Sequence, residues 1–196
     1  MIAKDFGYVL KNNICLFQKG PFSQWYGGWS GQSGGFESNK PLVNLFVSKF
    51  DGERLPLLTE NPHKEMVSFN CCEQWMMATK ALVFHDMDSY DKIIKATKPP
   101  EQKALGRKIK NYNQDAWDFA KYLIVLEGNK AKFSQNKDIR EFLLSFHPLT
   151  IFAEAAPWDS VWGIGLAPDD PKAWHITTWE GENLLGVVIG DIRKGL

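Results

Sequence analysis

The sequence predicts a largely helical single domain with short strands near both ends. Three observations carry that reading. The first part of the chain breaks short apolar runs with turn residues, and residues 71–145 hold a succession of segments with helical spacing. After His147-Pro148 the pattern changes again, to a short strand, a long loop and a closing helix. A length of 196 residues suits one domain with a sizeable core.

In order, "GYVLKNNICLF" reads as two short strands around an Asn12-Asn13 turn. "QWYGGWSGQSGGFES" is glycine-rich and reads as loop, "PLVNLFVSKF" as a strand, and "DGERLPLLTENPHKE" as a turn and exposed loop. Helices are expected over 71–85, 87–97, 101–109, 114–130 and 135–145, with Pro99 and Pro100 separating two of them. "LTIFAEA" reads as a strand. The Gly-, Pro- and Trp-rich stretch after it is a loop, and "NLLGVVIGDIRKGL" is a last helix. A loop of that length is more often functional than idle.

Composition narrows the function. Basic and acidic residues number 23 each, for a formal net charge of +0. That argues against a strong nonspecific grip on duplex DNA or an acidic membrane. Three cysteines, two of them adjacent (Cys71 and Cys72), make a poor disulfide framework and suit a reducing cytoplasm. No secretory signal or membrane-length apolar run is present, so a cytoplasmic location is expected. His63, His85, His147 and His175 lie far apart, and no second cysteine pair exists to complete a zinc site. The phosphate-binding G-x-x-x-x-G-K-[ST] pattern, the dinucleotide fingerprint and a G-x-S-x-G elbow are all missing.

The helix "FNCCEQWMMATKALVF" poses the functional question. At 100° per residue, Glu73, Met76, Met77, Lys80 and Phe84 share one face, and Trp75, Ala78 and Leu82 the opposite one. A helix apolar all round is buried, yet this one carries an acid and an amine. They lie two turns apart, about 10.5 Å of rise, too far to pair closely but able to reach one ligand. Lys80 could lift its amine to water while Glu73 suits the helix dipole. Alternatively, an amine in a low-dielectric pocket loses its proton and becomes a nucleophile, with the carboxylate passing protons. The helix alone leaves both readings open. So do two other clusters. "PWDSVWGIGL" sets Asp159 among Trp158, Trp162 and two glycines, as a tight turn or a ligand loop. "KALGRKIKNYNQDAW" sets Lys103, Arg107, Lys108 and Lys110 near Trp117, as a solvated basic face or a phosphate site centred on Arg107.

In order along the chain, "PFSQWY", "CCEQWMMATKAL", "KPPEQKALGRKI", "AWDFAKYLIVLEGNKAKFSQN", "EAAPWDSVWGIGL" and "GENLLGVVI" resemble the motifs of the NADAR domain. The resemblance runs from about residue 17 to the C-terminus. It implies an α+β domain that cleaves N-glycosidic bonds with no metal and no cofactor. Family members are similar to enzymes that remove ADP-ribose from guanine bases. Others hydrolyse phosphoribosyl intermediates of riboflavin synthesis. Lys80 then matches the lysine that forms a Schiff base with the opened ribose, and Glu73 the acid/base on the same helix. Asp159 would bind ribose hydroxyls or stabilise developing positive charge. Trp117, Trp162, Arg107, Asn183, Ser23 and Gly163 match substrate-binding positions. Expected partners are ADP-ribosylated guanine in nucleic acid or nucleotide, or a phosphoribosyl metabolite, with no membrane and no obligate protein partner. A catalytically silent ADP-ribose-binding module is the competing reading from another class. The chain departs from the family in its glycine-rich insertion at 27–35, in "SFHPL", and in Gln74, where an aromatic residue or histidine is usual.

Overall fold

The computed structural model describes residues 7–27, 34–39, 42–47, 54–59 and 66–196. Strands β1 (Tyr8–Lys11) and β2 (Ile14–Phe17) form an antiparallel hairpin. Asn12 and Asn13 turn it with φ of 50° and 60°, a left-handed pair that asparagine tolerates and that matches strand twist. β2 is buried throughout because it is the middle strand, pairing in parallel with β7 (Ile151–Glu154) on its other side. β3 (Phe36–Asn39) pairs with β6 (Met66–Phe69), and β4 (Leu42–Val47) with β5 (Arg54–Thr59), both antiparallel. The stretch expected as turn and loop after residue 50 therefore contains a strand, whose backbone groups β4 satisfies. Residues 28–33 of the glycine-rich insertion lie outside the described residues.

The helices are α1 (Cys72–Val83), α2 (Met87–Lys95), α3 (Pro99–Gly106), α4 (Gln114–Gln135), α5 (Lys137–Leu144) and α6 (Leu184–Gly195). Asp86 caps α2 by accepting from the Ser89 N–H at 3.1 Å, and Asn113 caps α4 through Ala116 at 2.9 Å. The proline pair does not merely separate helices. It begins α3, where a missing N–H costs nothing and a fixed φ is already helical. α4 also runs past 130 to Gln135.

α1 is the central element, buried on every side and packed on α2, α3 and α4. Gln74 ties it to the end of α2, donating to the carbonyls of Ile94 and Ala96 at 3.0 and 3.1 Å. Trp75 donates its indole N–H to the Ile124 carbonyl of α4 at 2.7 Å. Gly128 permits that contact, since a Cβ there would lie 2.8 Å from Trp75 Nε1. Gly128→Ala, despite its better helix propensity, should push α4 off α1 and destabilise the fold by about 1–3 kcal/mol in urea unfolding. Unchanged stability would mean that the indole has room to move.

Phe22 is the hub of an aromatic cluster, with Phe17, Phe146 and Phe152 centroids 5.4, 5.5 and 5.0 Å away. A smaller apolar cluster, including Ile14, Leu16 and Ile164, lies under the long loop. That loop holds 3-10 turns at Pro171–Trp174 and Ile176–Thr178. Among the described residues no helix is long and apolar enough to cross a membrane.

Candidate active site

α1, α3, the start of α4 and the end of β7 surround a cavity of about 950 Å³ with the loops at 18–26 and 156–162. Glu73 and Lys80, on one face of α1, both line it. The helical period thus delivers both groups to one space, with Met76 and Met77 between them as apolar wall.

Glu73 is only 2% exposed. Trp25 donates its indole N–H to Glu73 Oε2 at 3.3 Å, while Oε1 has no hydrogen-bond partner among the described residues. Burial pushes its pKa up to about 7, opposed by the nearby cations Lys103 and Arg107. The acid is therefore shared between its two protonation states near neutrality. Lys80 is half-buried, and its Nζ stands 4.3 Å from the Tyr112 ring centroid and 5.1 Å from that of Trp117. Desolvation lowers its pKa, while the charge of Glu73 pulls the other way. A neutral amine is accordingly easier to reach here than on a solvated lysine.

Other cavity groups surround this pair. Asp159 is fixed by its own loop, with Oδ1 accepting from the Val161 and Trp162 N–H groups at 3.1 and 2.8 Å. Trp162 and Trp117 line the wall, and Trp158 stands largely exposed at the rim. Lys103 and Arg107, a turn apart on and just after α3, bring positive charge to the same space. Ser23 lines the cavity and accepts from the Trp25 N–H at 3.2 Å, bending the loop that aims the Trp25 indole at Glu73.

Of the residues singled out from sequence, Ser23, Glu73, Lys80, Arg107, Trp117, Asp159 and Trp162 come together. Asn183 and Gly163 do not line the cavity and sit behind it. Asn183, with φ of 55° at the start of α6, accepts from Glu154 N–H at 3.1 Å and donates to the Phe152 carbonyl at 2.9 Å. Gly163 lets the loop close on β7, since a Cβ there would be 2.8 Å from the Glu154 carbonyl oxygen.

Three residues not singled out from sequence matter here. Trp25 is the donor to Glu73. Lys132, fully buried on α4, donates to the Pro21 and Ser23 carbonyls at 2.8 and 3.2 Å and so anchors the Trp25 loop. Glu154, at the end of β7, is a further acid in the cavity, and burial pushes its pKa up to about 8. A lone acid closing the apolar run "TIFAE" was the available signal for it.

The NADAR domain profile matches residues 17–196. "N-glycosidase R617" of Acanthamoeba polyphaga mimivirus is 41% identical over 160 residues, 82% of this chain and 92% of that protein. "Protein irg-1" of Caenorhabditis elegans is 33% identical over 165 residues, 82% of this chain and 77% of that protein. The E. coli protein YbiA, solved by NMR, is similar in fold with a TM-score of 0.60 at 21% identity, covering 98% of this chain and 90% of its own.

Proposed function

The chain belongs to the NADAR family, and from that premise we propose that it is an N-glycosidase removing ADP-ribose from guanine, in nucleic acid or nucleotide, through an imine on Lys80. The observation that carries the reading is the meeting of Lys80, its pKa lowered by burial, with Glu73, a proton-sharing acid, in one cavity. The similarity to a named N-glycosidase supports the reaction class. A cavity of about 950 Å³ lies at the upper end of small-molecule sites, which suits a ligand of dinucleotide size. Lys103 and Arg107 supply charge for a diphosphate, and Trp117 and Trp162 offer faces for a base.

The reaction divides into balanced steps. Glu73, protonated, gives its proton to the ribose ring oxygen. The C1–O bond then breaks, and C1 becomes doubly bonded to the base nitrogen as a protonated imine. Neutral Lys80 adds its electron pair to C1, and the carboxylate of Glu73 takes, through a water, the proton this places on Nζ. Expulsion of the base needs a proton delivered to its nitrogen and leaves C1 as an imine on Lys80. Water adds to that carbon, the C1–Nζ bond breaks, and the sugar leaves as an aldehyde. Trp25 donates its indole N–H to one oxygen of Glu73 and so orients the acid.

The test is incubation with ADP-ribosylated guanosine, with and without borohydride. Free ADP-ribose and guanosine are expected, and borohydride should leave a sugar covalently attached to Lys80. Tight ADP-ribose binding without release would favour the silent module. Neither binding nor release would turn attention to phosphoribosyl intermediates.

A further inference from the structure

The imine route requires a second proton, delivered to the base nitrogen, beside the one that Glu73 gives to the ring oxygen. Glu73 exchanges its proton with the ring oxygen and with Lys80, and it is almost wholly covered and tied to Trp25 on one oxygen. Glu154 differs. It is only partly covered, it lines the cavity, and among the described residues nothing donates a hydrogen bond to its carboxyl. Its backbone, by contrast, is fixed from several sides. The N–H is held by Asn183 Oδ1, the carbonyl accepts from Ile164 N–H at 2.9 Å and Ala156 N–H at 3.1 Å, and Phe17 of β2 stands opposite in register. Gly163 is bare of a side chain where it passes that carbonyl. Two motif residues that never reach the cavity thus converge on placing the one that does.

Resting on the glycosidase reading above, we propose that Glu154 is a further catalytic residue, whose carboxyl delivers the proton to the base nitrogen as the C1–N bond breaks. The proton leaves a Glu154 oxygen, the bonding pair of C1–N passes to the base nitrogen, and the Lys80 nitrogen supplies the pair that forms the new C1=N bond. Hydrolysis of the imine returns a proton, because water contributes its oxygen to the aldehyde and leaves its two hydrogens on Lys80 Nζ and Glu154. The charged groups facing Glu154 are Asp159 on the neighbouring loop, Lys103 on α3 and Glu73 on α1. Burial, with the two acids, keeps a proton on Glu154 near neutral pH, and Lys103 opposes them.

Glu154→Gln keeps the shape and removes the proton. Guanosine release from ADP-ribosylated guanosine should fall about 100-fold or more, in kcat rather than KM. Free ADP-ribose has no base to expel. A proton carrier sets how fast the imine forms and not its final extent, so borohydride added once the mixture has equilibrated should trap as much sugar on Lys80 as in the wild type, which also reports an intact fold and nucleophile. Wild-type release by Glu154→Gln would overturn the proposal. So would a parallel loss of trapping from free ADP-ribose, because Glu154 would then be shaping the site. If the wild type neither releases guanosine nor is trapped, the glycosidase reading itself has failed, and this assignment falls with it.

Discussion

Lys80→Ala should lower ADP-ribose release by about 1,000-fold or more and abolish borohydride trapping, with the fold unchanged. Lys80 is half-buried near the end of α1, and alanine is a favourable helix residue, so removing the amine leaves α1 and its packing in place. What disappears is the atom that becomes bonded to C1. Tyr112 and Trp117, the rings beside Nζ, cannot replace it. Lys80→Arg should fail nearly as badly, because a guanidinium keeps its charge at any workable pH and offers no electron pair. Release assays and intact-mass measurement after reduction would decide the matter. If Lys80→Ala released ADP-ribose at the wild-type rate, the imine would be excluded whatever the substrate.

The parts of the site legible in sequence are those set by local periodicity. Glu73 and Lys80 share a face because the helical repeat puts them there, and the cavity lies along that face. The Asn12-Asn13 hairpin and the order of helices follow from equally local rules. Other features depend on residues far apart in the chain. Lys132 looks in sequence like any lysine on a solvated helix, and only the carbonyls at Pro21 and Ser23 explain its burial. Glu154 gains its proton affinity from burial and from acids on two other elements. Asn183 resembled a substrate residue because its motif belongs to the site, yet its side chain acts on β7 one layer behind. A motif marks a neighbourhood, and the geometry then decides which members face the ligand.

Glu73→Gln should stabilise the protein at pH 8.5 by about 3 kcal/mol while removing its activity. The sign follows from burial. The ordinary pKa of Glu73 is 4.5, and in the fold it rises to about 7. Between those values the folded state binds more proton than the unfolded chain, so stability falls as pH rises through this window. The contribution is complete below about 4.5 and lost above about 7, and each unit is worth about 1.4 kcal/mol. Glu154 adds a loss of the same sign that extends to about pH 8. Glutamine carries no charge to desolvate and still offers Trp25 an acceptor, so the variant should escape its share of the loss. At pH 4.5 or below, wild type and variant should be close. At pH 8.5 the variant's melting temperature should exceed the wild type's by about 6–12 °C. Equal melting temperatures at both pH values would mean that Glu73 is ionised in the fold without strain, and its proton-passing role would be lost with that result. A stability gain that abolishes turnover is the expected mark of an acid buried for chemistry rather than for packing.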